Sequence, residues 1–223
     1  MATDSPAPLA TSAQMLEGQF ADLVKDYSSS ALDQLMIEAT RECEGIADRR
    51  LAPFTGVVET QRADAMDVED AMDAYVPLDP TSQLGFSRAQ SLGSTLLVRH
   101  FWVREFPPRY PELWTGSIAS INLFRSYSGQ QNVSVSTIQF EPDTGHCRFQ
   151  LGTFVPAGTT IQATYSGGYS TSPADLVRAS KYLAAVIALA EIDPAGTQFG
   201  HDPGALREQA EKILCRYERG GSK

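Results

Sequence analysis

The chain has 223 residues, 42% of them hydrophobic and 20% charged, with a formal net charge of −9. A chain of this length buries about 70% of its unfolded surface, so one domain, or one domain with an insert, folds without disulfides. The charge argues against a protein that grips nucleic-acid phosphates, which carries a basic face. It permits a wall that DNA slides past, because like charge lowers adhesion.

Residues 1–11 are rich in Ala, Pro, Ser and Thr and predict a flexible arm, with neither the basic start nor the apolar run of a signal peptide. Ser12 to Asp26 predicts a helix with Leu16, Phe20, Leu23, Val24 and Tyr27 on one face. Gly18 weakens it by about 1 kcal/mol relative to Ala. Ser28-Ser29-Ser30 breaks the pattern, and Ser30 with Asp33 repeats the S-x-x-D helix start. Leu32, Leu35, Met36, Ala39, Cys43 and Ile46 then form an apolar stripe. Arg49 and Arg50 fall at the negative end of the helix dipole, and Pro53 stops the run.

Phe54 to Thr60 predicts a short strand. Residues 62–80 form an acidic loop or short helix, with Asp64, Asp67, Glu69, Asp70 and Asp73 against a single Arg62. The calcium-loop spacing D-x-D-x-D-G-x5-E is missing, so a solvated acidic face is expected rather than a metal site. Thr95 to Val103 predicts a strand. Glu105 to Trp114 holds three prolines and two aromatics, fits no regular element, and reads equally as a contact surface or as a rigid lid. Ile118 to Phe124 alternates like a strand, Ser126 to Asn132 predicts a polar loop, and Val133 to Phe140 a further strand. Asp143-Thr144-Gly145 predicts a hairpin turn, with Cys147 to Leu151 returning.

Thr159 to Glu191 organises the rest. Ile161, Ala163 and Tyr165 alternate with Gln162 and Thr164, the period of a half-buried strand. Gly167-Gly168 breaks it, Ser172 is placed to cap a helix, Pro173 suits its first position, and Asp175 meets the positive end of its dipole. The helix runs Leu176, Ser180, Leu183, Ile187, Ala190 along one stripe, yet Tyr182 to Ala190 is apolar almost all round. It is shorter than the roughly 20 apolar residues of a membrane span, so neighbours must enclose it. They are either its own core alone, or its core on one side and another subunit on the other. Asp202-Pro203 starts a last helix with Leu206, Ala210, Ile213, Leu214 and Tyr217 on its apolar side and Lys212, Arg216 and Arg219 near its end. Gly220-Gly221 ends the expected order. The fold class is therefore α+β: a helical core from residues 12–51 and 173–219, an antiparallel β-rich insert over residues 52–168, and a disordered tail at 220–223.

YSGGYSTSPADLVRA followed by an alanine-rich helix, with LMIEATRECEGIADRR upstream, resembles the head-to-tail connector (adaptor) proteins of tailed bacteriophages. The resemblance covers most of residues 30–192 as an order of elements, and about a dozen residues as motif; the middle, residues 52–132, is longer than usual. It implies a structural virion protein, made in the bacterial cytoplasm, that closes into a homo-oligomeric ring of about twelve copies. That ring sits below the portal protein, meets the next connector or tail protein on its other face, and lets DNA pass without sequence-specific binding. It also implies no catalysis and no cofactor. On this reading Leu176, Leu183 and Ile187 are subunit-interface candidates. Leu206, Ile213, Arg216 and Tyr217 are portal-docking candidates, and deleting residues 203–223 is expected to spare the fold. Asp64, Asp67, Glu69, Asp70 and Asp73 become channel-lining candidates.

Catalytic constellations are missing from the sequence: it holds no GxxxxGK[ST], no GxGxxG after a strand and no GxSxG. His100, His146 and His201 are far apart. His146 and Cys147, as strand neighbours, point to opposite faces and do not share a metal. Three widely spaced cysteines without CxxC predict reduced, buried thiols. The alternative function is a carbohydrate- or protein-binding β module using Trp102, Tyr110 and Trp114. A small hydrolase built on His146 or the acidic cluster has no motif behind it.

Overall fold

The computed structural model describes residues 7–63, 97–98, 100–106, 109–125, 129–150, 155–156, 158–193 and 199–218. The helices among them are α1 (Ser12–Leu16), α2 (Ala21–Val24), α3 (Ser29–Ala47), α4 (Ala174–Ile192) and α5 (Pro203–Leu214). The strands are β1 (Phe54–Arg62), β2 (Leu97–Val98), β3 (His100–Trp102), β4 (Ser117–Arg125), β5 (Gly129–Val133), β6 (Ile138–Glu141), β7 (His146–Phe149), β8 (Val155–Pro156) and β9 (Thr160–Gly167). The fold is α+β with antiparallel sheets. The chain divides into a helical unit, Met1–Thr55 with Glu105–Thr115 and Gly167–Lys223, and a β unit, Gly56–Arg104 with Gly116–Ser166. The acidic loop, with Asp64, Asp67, Glu69, Asp70 and Asp73, lies outside the described residues, as do the first six residues, Arg219 and the tail at 220–223.

In the helical unit, Thr11 opens α1 with a reciprocal capping box: Gln14 N–H donates to Thr11 Oγ1 at 3.2 Å and Thr11 N–H to Gln14 Oε1 at 2.9 Å. The single helix expected over 12–26 is two short ones, interrupted around Gly18, the helix-weakening residue; the Lys181 side chain lies against it, where a Cβ would stand 2.6 Å from Nζ. Ser28, not Ser30, caps α3 by accepting from Ala31 N–H at 3.3 Å. Asp48, in the left-handed region at φ 49°, ends it. Beyond that end, Glu44 reaches back. Its Oε1 accepts from Leu51 N–H at 2.8 Å and Ala52 N–H at 3.0 Å, while burial raises its pKa. Arg49 does more than face the helix dipole. It is buried, donates to the Phe106 carbonyl at 2.8 Å and lies over the Phe106 ring, so it fastens the 105–115 segment into this unit.

The glycine pair expected as a hinge is a point of close approach. Gly168 sits at φ 122°, and a Cβ on it would come within 2.4 Å of Pro53 Cα and 2.6 Å of the Ala52 oxygen. Next, α4 starts at Ala174 with Pro173 in the cap position and no side-chain cap, one residue later than the sequence suggests. It packs on α5, α3 and α2 of the same chain. Leu176, Ala179, Ser180, Leu183, Ala184, Ala185, Ala188 and Leu189 are buried, the small alanines letting helices approach closely. Each fully buried leucine contributes about 1.5–3 kcal/mol.

The β unit holds a four-stranded sheet in the order β1-β9-β4-β5, a three-stranded sheet β3-β7-β6, and the pair β2-β8. β9 buries Ile161, Ala163 and Tyr165 by strict alternation. In β4 the buried residues are Ile118, Ile121 and Leu123; the break in alternation is absorbed by a bulge between Ile118 and Ser120. The expected polar loop at 126–132 is, over Gly129–Val133, an edge strand paired with β4 from Ile121 to Arg125. The strand expected over 133–140 is split by a 3-10 turn at Val135–Thr137. In the three-stranded sheet Phe101, Cys147 and Phe149 are buried together, the two phenyl rings 5.3 Å apart.

Candidate functional site

The residues singled out for assembly fall in different places. Leu176 and Leu183 are completely buried by their own protomer. They have no surface to offer another copy, so the interface role expected of them does not hold; this face of α4 packs on α2, α3 and α5, while Val177, Tyr182 and Val186 on the rest of it are half-buried. Ile187 is half-buried and retains some surface. On α5 and the turn that follows it, Leu206 and Tyr217 are also internal, while Ile213 is half-buried and Arg216 exposed. Tyr217 is a staple: its hydroxyl donates to Asp175 Oδ1 at 2.6 Å, tying the end of the chain to the first turn of α4. Burial, helped by Asp175, raises its pKa. Deleting residues 203–223 would therefore strip Leu206, Ala210, Leu214 and Tyr217 from the core, and the expectation that the fold survives it is corrected.

The aromatic set Trp102, Tyr110 and Trp114 does not form one platform. Trp114 is buried, edge-on to Tyr169 at 5.1 Å and to Phe54 at 6.1 Å, and presents no face to a ligand. Tyr110 is half-buried with a left-handed backbone, under the Arg109 guanidinium. Trp102 belongs to the β unit and is 42% exposed.

What sequence reading missed is the company Trp102 keeps. The register Trp102↔His146↔Glu141 puts three side chains in one row across β3, β7 and β6, and His100 lies two residues along on the same face. His146 lies against Trp102, ring centres 5.2 Å apart. The two imidazoles are nearly parallel with His100 Nδ1 and His146 Nε2 2.8 Å apart, and Glu141 Oε2 is 3.4 Å from His146 Nδ1. A carboxylate–imidazole–imidazole chain results, in which one ring nitrogen donates and the other accepts. Among the described residues no group of three or more His, Cys, Asp or Glu is arranged to hold a metal. Cys147 points to the opposite, buried face, as strand alternation requires.

Among the described residues, two surface grooves involve α4. One, of about 420 Å³, is lined by the apolar Ala31, Ile192 and Phe199 and by Asp22 and Asp26. Tyr27 lines it too, donating to Glu191 Oε2 at 2.9 Å; burial first, then Glu191, pushes the Tyr27 pKa up to about 12. The other, of about 400 Å³, lies along the first half of α4, where Arg178 and Lys181 stand beside Tyr182 and Phe20. Phe20 meets Tyr182 edge-on at 6.0 Å, and Lys181 Nζ donates to the Gln14 carbonyl. No described helix is long and apolar enough to cross a membrane.

The chain matches no protein family and no curated protein. Among solved structures it is similar to a chain from the neck of an empty GTA particle computed with C6 symmetry. The two share 17% sequence identity with a TM-score of 0.50, the match covering 99% of this chain and 97% of the other. At that identity the likeness shows a shared fold and nothing more.

Proposed function

We propose that this chain is a neck component of a phage-like particle, a head-to-tail connector that closes into a ring on the particle axis and lets DNA pass. One observation carries the reading: the fold matches, over nearly its whole length, a chain from a particle neck treated with sixfold symmetry. The YSGGYSTSPADLVRA segment supports it independently. A sixfold axis is compatible with the ring of about twelve copies that the resemblance to connectors implies. The role asks for shape and contact rather than catalysis, and no chemical step is assigned to the chain.

In the ring each copy presents its exposed charges to neighbours and keeps the leucine face of α4 inside. The acidic balance of the chain, −9 overall, keeps DNA from adhering as it passes. Of the portal-docking candidates, Ile213 and Arg216 retain surface for that contact. The test is proteomic and structural: particles purified from the host should contain this chain in a fixed ratio to the portal. Arg216→Glu, which leaves the core untouched, should weaken capture by purified portal protein about tenfold. Particles that lack the chain, or a portal that binds the variant as tightly, contradict the respective claim.

A further inference from the structure

The inference rests on the ring reading and names the surfaces that close the ring. The acidic groove leaves Ile192 45% exposed at the end of α4, beside two exposed carboxylates, Asp22 and Asp26. Water-exposed apolar floor with an anionic edge fits a long cationic side chain, whose aliphatic stem covers the floor while its head meets the carboxylates. The same unit carries such side chains elsewhere. Arg178 is exposed on α4 and Lys181 is half-exposed one turn later, both against Tyr182. In a chain of net charge −9, a cationic ridge beside aromatic rings is the complement of the acidic groove.

We propose that the Arg178–Lys181–Tyr182 ridge of one copy seats in the Asp22–Asp26–Ile192 groove of the next. From Arg178 to Ile192 the helix rises about 21 Å, enough for the two surfaces to engage different neighbours at once. Used in one direction, the ridge of each copy in the groove of the next, the contact is heterologous and can close into a ring; used reciprocally it would stop at a dimer, so wild type must assemble beyond a dimer. The charges sit at the surface, so the contact weakens with salt.

Two charge-reversed proteins test it, Asp22→Arg with Asp26→Arg, and Arg178→Glu with Lys181→Glu, compared by sedimentation velocity at low salt. Asp22, Asp26 and Arg178 are exposed, whereas Lys181 also donates to the Gln14 carbonyl of its own protomer, so Arg178→Glu alone is run beside the double variant and unchanged circular dichroism confirms the folds. Wild type should self-associate, and each variant alone should associate at least about tenfold more weakly. Mixed, the two should form heterodimers and nothing larger, since each retains one working surface; combining all four changes should restore association. Variants that associate like wild type, or a mixture that stays monomeric, overturn the pairing while leaving the ring open to other contacts. A wild type that stays monomeric at low salt also overturns it. The ring reading itself is judged separately, by whether the chain sits in the particle neck.

Discussion

The helical unit and the β unit use their apolar residues differently. In the helical unit the leucines of α3 and α4 and the alanines between them face inward, while Tyr182, Val186 and Ile187 are half-buried and Ile192 is exposed. In the β unit β9 buries one face by alternation, and one face of the three-stranded sheet displays Trp102, His146 and Glu141. The first unit is thus organised by a packed core. The second presents a polar and aromatic face assembled from residues more than forty positions apart, as His100 and His146 show.

That contrast can be broken or sharpened by experiment. The largest effect is expected at the glycine pair. Gly168→Ala forces a Cβ into the Pro53 backbone at a φ that only glycine tolerates, and should cost at least about 3 kcal/mol or prevent folding, measured by urea denaturation. Next, Leu183→Ala should cost about 3 kcal/mol and Ile187→Ala under about 1.5 kcal/mol, because only the first leaves a cavity in a closed core. Equal losses would mean that Ile187 is as enclosed as Leu183.

Each unit also holds one buried thiol, Cys43 in the helical unit and Cys147 in the β unit, while Cys215 is exposed. Cys215 should react with an alkylating reagent at once, and the other two only as their units open. Burial pushes the Cys147 pKa up to about 12 from 9.0, and Cys43 shifts the same way. A folded pKa above the unfolded one favours folding fully below pH about 9 and loses that advantage as the pH climbs toward about 12. The urea midpoint should therefore fall progressively over that alkaline range, and a midpoint indifferent to it would contradict the burial of both thiols.

The smallest effect is expected on the sheet face. His146→Ala removes the bond to His100 and the stack on Trp102, and should cost about 1 kcal/mol. Labelling of Cys147 should begin at lower urea while that of Cys43 stays put. Movement of both would mean that the two units open together.

The helices were the legible part of the sequence. The α3 stripe Leu32–Leu35–Met36–Ala39–Cys43 and the apolar run of α4 are periodic signals that burial follows directly. What periodicity did not say is who encloses α4, since an apolar run looks the same against its own core or a neighbour; its partners here are α2, α3 and α5. Strands were less legible for physical reasons. β5 is a polar edge strand, GQQNV, whose order comes from pairing with β4 rather than from a buried face. The bulge in β4 hid its alternation. The His100–His146–Trp102 row depends on cross-strand register, which local sequence does not encode. The Lys181 side chain against Gly18 is a contact between residues far apart in the chain.

The central claim is that this chain is a ring-forming part of a particle neck. Cryo-electron microscopy of purified particles, with the neck reconstructed on its own symmetry axis, tests it most directly. The account predicts a closed ring of this fold between head and tail, its copies joined by contacts between different surfaces of neighbouring protomers. A neck built without this chain, or the chain found only as isolated copies away from the axis, would contradict it.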